Sequence, residues 1–293
     1  ALTAALASAG GERTQVVVDE LARAAVAPDA SHVLLLPRAL VRAATADQVA
    51  AVMRYATAAA LPVTFRSGGT SLSGQAGGEG LLVDVRRGFR RIEPSADGTS
   101  VRVGPGATVR AVNARLARYG RRLGPDPASE GAATVGGVIA NNSSGMSCGT
   151  HANTYRTLRA LRIVLPSGTS VDTGREDADE RLAADEPALH AGLRRLRERI
   201  VGDPALRAEV ERQYRGKNTM GYGLNSFLDH ERPVDVLAHL MVGSEGTLGF
   251  VAEATLDTVP VPRLATTGFV VLESLDAATR LLPALVATGA ATV

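Results

Sequence analysis

Apolar positions at Val49, Val52, Met53, Ala56 and Ala60 recur at the spacing of one helix face and predict a helix over 47–60. Leu61-Pro62 stops it, and residues 63–65 follow as a short β-branched strand. Upstream, 33–36 reads as a buried apolar run closed by Pro37, and 39–43 continues extended. The order strand, helix, strand, glycine-rich loop describes an α/β unit whose loop leaves the carboxyl end of a strand.

The pattern then changes. Residues 81–85 form the next expected strand, and 91–94 and 100–103 flank Asp97-Gly98, a dipeptide suited to a tight hairpin. Thr108 caps a helix that runs to Tyr119 and ends at Gly120. Residues 158–165 read as a strand closed by the Pro166-Ser167-Gly168-Thr169 turn. From 175 to 215 the chain is charged and helical, with Pro204 opening a second helix, as a solvated excursion would be. Strand character resumes at 237–242 and 250–259, around a second glycine loop at 243–249.

These punctuations divide the chain. Residues 1–32 read as an irregular or helical lead-in with a short amphipathic run over 18–25, and Pro260 and Pro262 mark a boundary. A main unit is expected over 33–262, with lobes at 33–107 and 108–262 and a helical excursion at 175–232. Beyond it, 267–272 reads as a strand, 276–287 as a helix and 290–293 as the start of another strand. A βα unit is too small to stand alone, which implies that 263–293 opens a further, truncated domain.

Composition narrows the classes. Of 293 residues, 45% are hydrophobic and 21% charged, an ordinary globular balance. No run approaches the roughly 18 apolar residues of a membrane span, and no charged leader precedes an apolar stretch. A cytoplasmic location is expected, with attachment at the membrane periphery left open. Cys148 is the only cysteine, which excludes an internal disulfide and a cysteine-rich metal site within the chain. Lys217 is the only lysine among 32 basic residues; the arginines are scattered, net charge is +2 and aromatics are 3%, a poor surface for nucleic acid.

Candidate chemistry lies in the small-residue stretches. Arg66-Ser67-Gly68-Gly69-Thr70-Ser71-Leu72-Ser73-Gly74 follows a strand directly, and adjacent glycines can bring several N–H groups onto one anion. The only Gly-Lys pair, Gly216-Lys217, is followed by Asn218, so no P-loop is present. Neither Gly104-Pro105-Gly106 nor Gly221-Tyr222-Gly223 completes a Rossmann fingerprint. A second stretch runs from Gly124-Pro125-Asp126-Pro127 through Thr134-Val135-Gly136-Gly137-Val138-Ile139-Ala140-Asn141-Asn142-Ser143-Ser144-Gly145 to Cys148-Gly149-Thr150-His151. The third is Gly243-Ser244-Glu245-Gly246-Thr247-Leu248-Gly249. Small side chains over so many positions forgo burial, and close backbone approach to an elongated dinucleotide explains them better. Arg66 stands open between neutralising a pyrophosphate and pairing with a carboxylate, and Lys217 between a cofactor-side cation and a donor to backbone carbonyls. Cys148 reads more readily as packing than as a reactive thiol. His151 could act as acid or base or be held by backbone, and His32, His190, His230 and His239 show no metal spacing.

Gly-Gly-Thr-Ser, Thr-Val-Gly-Gly-Val-Ile-Ala-Asn-Asn and Gly-Ser-Glu-Gly-Thr-Leu-Gly, in that order, resemble the FAD-binding domain of the vanillyl-alcohol oxidase/p-cresol methylhydroxylase family. Within it the similarity points to the D-lactate, glycolate and D-2-hydroxyglutarate dehydrogenases, particularly those that append an iron–sulfur domain. Lys217-Asn218-Thr219-Met220-Gly221-Tyr222 adds to that likeness, which covers about residues 30–293. The resemblance implies an α+β fold: a two-lobed α/β domain holding FAD, followed by the start of a substrate cap. It implies pyrophosphate on Ser67, Gly68, Gly69, Thr70, Ser71 and Leu72, beside Arg66. Pro125, Asp126, Thr134, Gly136, Gly137, Asn141, Asn142, Ser143 and Gly145 would line flavin and ribityl chain, with Cys148 and Gly149 continuing that loop. Glu245, Gly249 and Val251 would pass near the adenine or ring edge.

Two departures bear on the linkage. Thr70 stands where histidyl-linked relatives carry His, and 129–134 lacks the cysteine of doubly linked ones, so non-covalent FAD is expected. The implied reaction is hydride transfer from a D-2-hydroxy acid to flavin, giving a 2-oxo acid, with electrons passed to a cytochrome, quinone or iron–sulfur centre. The cap and its metal ligands would follow Val293, so no catalytic base is assigned and no metal is expected here. The alternatives are a flavin oxidase of the same fold acting on a sugar, lactone or aryl alcohol, and a non-catalytic FAD-binding module.

Overall fold

The computed structural model describes residues 2–4, 15–264 and 266–289. Strand β1 (Gln15–Val17) precedes a one-turn helix α1 (Glu20–Ala24), and β2 (Ala39–Arg42) leads into α2 (Ala46–Ala58). Thr45 caps α2 in a reciprocal box with Gln48, so helical spacing and start signal agree. The helix buries Val49, Val52, Met53 and Ala56, each large apolar side chain contributing roughly 1.5–3 kcal/mol. With β3 (Val63–Arg66) and β4 (Leu81–Asp84) the first sheet has the order β1-β2-β4-β3. β2, β4 and β3 are parallel, and all of β4 is buried, as expected of a strand covered on both faces. The carboxyl ends of these parallel strands share one edge, and the glycine loop leaves β3 there.

The second sheet is antiparallel. β5 (Ile92–Pro94), β6 (Ser100–Val103), β10 (Phe250–Pro260), β8 (Leu158–Val164) and β9 (Ser170–Asp172) lie in that spatial order. A short β7 (Arg121–Leu123) pairs with the end of β10. Helices α3 (Val109–Leu116), α4 (Val135–Asn141) and α5 (Thr154–Thr157) fall between its strands in chain order. The charged excursion becomes α6 (Ala178–Asp185), α7 (Pro187–Gly202) and α8 (Pro204–Gln213), followed by α9 (Ser226–Asp229) and α10 (Pro233–Leu240). Leu116, Ile139, Leu161, Ile163, Leu237 and Leu256 anchor this lobe's core. The two sheets meet at Phe250, whose ring lies 4.7 Å from Phe65 and 5.2 Å from Phe89.

Several expectations need correction. Residues 33–36 are not a buried run, since Val33, Leu34 and Leu36 are exposed, and an isolated bridge from Leu34 to Pro28 is their only strand-like pairing among the described residues. The stretch 237–242 is no strand: Pro233 opens α10, and Val234, Leu237, Ala238 and Met241 are buried at helical spacing. Residues 134–141, read as loop, contain α4. At 267–272 no strand forms, and Phe269 is 92% exposed with no sheet beside it among the described residues. Helix α11 (Leu275–Ala287) does form, capped by Ser274. The strand expected at 290–293 lies outside the described residues.

Candidate cofactor cleft

At the junction of the sheets the chain lines a cleft of about 480 Å³, within the range of small-molecule sites. Phe65, Val85, Phe250 and Val251 supply its apolar lining. Ser67, Gly68, Gly69, Thr70, Ser71 and Leu72 all line it. An ideal Cβ on Gly68 would collide with the Ala132 carbonyl oxygen, so only glycine lets the loop lie against that turn. Gly69 has φ +66°, a conformation that a side chain disfavours. Among the described residues, no protein acceptor takes a backbone N–H from Ser67 to Leu72. That run of donors along a half-buried wall is a ready anion cradle.

A second wall, adjoining the loop, is α4. Thr134 at its start meets the Ser67 hydroxyl through its own, joining the two walls. The first amides of α4 are spent within the protein: Val135 donates to the Ala107 carbonyl (2.8 Å) and Gly136 to that of Pro105 (3.0 Å). A Cβ on Gly136 would approach Pro105 Cβ to 2.5 Å, whereas at Gly137 the nearest atom would be 3.7 Å away. The third stretch caps the far end of α4. Gly243 donates to the Ile139 carbonyl (3.0 Å), Glu245 to that of Ala140 (2.8 Å), and Asn141 Nδ2 to Glu245 Oε1 (2.7 Å). Ser143 Oγ donates to Asn141 Oδ1 (2.6 Å). Glu245 holds φ +51°, at a cost of about 1 kcal/mol or more for a residue with a Cβ.

Thr134, Gly136, Gly137, Asn141, Ser143, Glu245, Gly249 and Val251 thus share the cleft with the 67–72 loop. Pro125, Asp126, Asn142, Gly145, Cys148 and Gly149 lie off its wall. Asp126 and Gly145 form a bridge of their own, with Asp126 N–H on the Ser144 carbonyl (2.9 Å). Lys217 Nζ donates to the Gly145 carbonyl (2.5 Å), which makes it a carbonyl donor. Cys148 is buried, and burial pushes its thiol pKa up although Lys217 opposes the shift. Arg66 is also off the wall, buried behind the loop. Its Nη1 donates to the Ala76 carbonyl (3.0 Å) and its Nη2 to that of Pro28 (2.5 Å).

Residues the sequence did not single out for the site also line the cleft, among them Phe65, Pro105, Met241 and Phe250, while Ser244 and Thr247 line it from within the third glycine stretch. The alternation of β3 places Phe65 beside the loop and could have flagged it. Elsewhere His230 and His239 stack at 3.9 Å, and burial, then His230, pushes His239 down to about 4. Among the described residues no cluster of His, Cys, Asp or Glu could hold a metal, and no helix is long and apolar enough to cross a membrane.

The donor set tests the expected cofactor. Glu245 is the only charged side chain on the wall among the described residues, so no cation there meets a diphosphate directly. Backbone N–H groups, with wall hydroxyls such as those of Ser67, Thr70, Ser71 and Thr134, are available as anion ligands. Charge-assisted hydrogen bonds of this kind contribute roughly 1.5–3 kcal/mol each. The apolar walls suit flat rings. The residues fit a dinucleotide such as FAD.

Comparison with known proteins agrees. Residues 37–174 match the FAD binding domain family. The chain is 29% identical over 278 residues to a D-2-hydroxyglutarate dehydrogenase of Pantoea ananatis, covering 92% of this chain and 27% of that protein. It is 31% identical over 263 residues to one of Pseudomonas putida, covering 87% and 26%. A D-lactate dehydrogenase of Archaeoglobus fulgidus is 28% identical over 242 residues, covering 80% and 43%. The chain therefore spans about a quarter of the length of the first two relatives. Among solved structures an alkyldihydroxyacetonephosphate synthase superposes with a TM-score of 0.59 at 18% identity, covering 90% of this chain and 41% of that one, which shows a shared fold. Residues 37–174 thus match an FAD binding domain, in a chain similar to D-2-hydroxyglutarate and D-lactate dehydrogenases.

Proposed function

We propose that this chain is the FAD-holding module of a dehydrogenase that oxidises a D-2-hydroxy acid to the 2-oxo acid and passes the electrons to a separate acceptor. The observation that carries the reading is the run of N–H donors from Ser67 to Leu72, free of protein acceptors among the described residues, along a cleft inside a matched FAD binding domain. The substrate class rests on the relatives' names, over 80–92% of this chain. When bound, FAD supplies a two-electron acceptor for oxidation of a hydroxyl-bearing carbon.

This chain's part is binding and orientation. The 67–72 loop grips the diphosphate through its amides, and the hydroxyls of Ser67 and Thr134 hold the two walls in register. Phe65, Phe250 and Val251 exclude water from the rings. Asn141 and Glu245, tied to each other, fix the far end of α4. Attachment is non-covalent, since Thr70 offers no nucleophilic ring nitrogen; acid precipitation is expected to release all flavin to the supernatant, and a yellow pellet would contradict this.

The test of the function is stopped-flow reduction of the FAD-loaded full-length protein. D-2-hydroxyglutarate or D-lactate is expected to bleach the oxidised flavin band at substrate-dependent rates, while the L-enantiomers do not. Absence of bleaching with every D-2-hydroxy acid would remove the substrate class and leave only the binding function.

A further inference from the structure

Arg66 is buried, 8% exposed, yet among the described residues it forms no ion pair. Its donors go to the backbone carbonyls of Ala76 and Pro28, which anchors the glycine loop to the lead-in segment. Asp84 is engaged by Arg86 (2.8 Å), and Asp29 accepts from the Ser31 N–H (2.8 Å) and hydroxyl (2.5 Å). Both carboxylates act on Arg66 only at a distance, and burial lowers its pKa. A buried guanidinium without a carboxylate in contact is costly to keep.

Its position gives a reason to keep it. An ideal Cβ on Gly69 would stand 2.9 Å from Cζ, Nε and Nη2 of Arg66, so the guanidinium lies directly behind the cradle. Gly69 itself faces the cleft. From this juxtaposition we infer that Arg66 is a positioning residue whose charge acts through the Gly69 backbone on the diphosphate without touching it. The inference rests on the FAD reading above. It explains how a wall whose only charged side chain among the described residues is Glu245 can still receive an anion. The compensating positive charge sits behind the loop, desolvated and weakly screened.

The test is titration of the full chain with FAD and with riboflavin, which lacks the diphosphate, for wild type, Arg66→Lys and Arg66→Met, with circular dichroism to confirm folding. Arg66→Met is expected to weaken FAD binding by at least about tenfold and leave riboflavin binding unchanged, while Arg66→Lys stays within about threefold of wild type. Equal weakening of FAD and riboflavin by Arg66→Met, or no weakening of either, would overturn the inference. Should Arg66→Met fail to fold, Arg66→Lys decides alone: weakening of FAD beyond about threefold would overturn it, since the charge is retained. A wild-type protein that binds no FAD would overturn the functional reading itself.

Discussion

Two glycine-rich segments adjoin in the cleft and do different work. In the 67–72 loop the backbone donors have no protein acceptor among the described residues, and Gly69 takes a positive φ with the Arg66 guanidinium behind it. In α4 the amides of Val135 and Gly136 are already bonded to the Ala107 and Pro105 carbonyls, and Gly136 is small because Pro105 leaves no room. The composition of the two stretches is alike. What separates a ligand cradle from a packing contact is where the backbone hydrogen bonds go.

That contrast can be broken at single residues. The largest effect is expected at Gly69→Val, where the added side chain meets the Arg66 guanidinium and the loop must leave φ +66°. Loss of two or more charge-assisted bonds corresponds to about a hundredfold or greater loss of FAD affinity, with the fold largely intact. Fluorescence titration checks the first part and circular dichroism the second; full flavin retention would refute the loop's role. Gly136→Val should instead act on stability, by about 1–3 kcal/mol from overpacking against Pro105. Thermal unfolding without cofactor reads this, and an unchanged midpoint would contradict the packing assignment.

A smaller effect is expected of salt. With no cation on the wall among the described residues and Arg66 buried, raising ionic strength from about 0.05 to about 0.5 M should change the FAD dissociation constant by less than about threefold. A steep dependence would mean that exposed arginines carry the binding. The smallest effect is expected at Gly137→Ala, whose Cβ has 3.7 Å to its nearest neighbours and replaces a poor helix former. Stability should rise by up to about 1 kcal/mol, read by thermal unfolding, with FAD affinity within a few-fold of wild type.

Much of this architecture was legible in the residues. The capping of α3 by Thr108 and the hairpin at Asp97-Gly98 follow from local rules, and both form as those rules require. The errors have physical causes. α4 was hidden because Gly136-Gly137 argues against a helix, yet its ends are held by the 105–107 turn and the 243–245 loop. The apolar run at 237–242 is ambiguous between strand and helix, and Pro233 is the signal that decides it. β7 and β9 have only three residues each, too short for alternation to show.

The site was legible in part. The 67–72 loop announced itself through adjacent glycines after a strand, but sequence could not say which small residues of 124–149 reach the cleft. Pro125, Asp126 and Gly145 are drawn aside where the 125–126 and 144–145 segments pair, a tertiary choice with no local signature. Arg66 likewise looked like a direct phosphate ligand or an ion-pair partner. Its burial behind Gly69 is visible only once the lead-in is in place.

Amide hydrogen exchange with and without saturating FAD tests the central claim most directly. The account predicts that amides from Ser67 to Leu72 exchange freely in the apoprotein and become protected when FAD binds, while Val135 and Gly136 are protected in both states. Bound FAD that leaves the 67–72 amides in free exchange would contradict it.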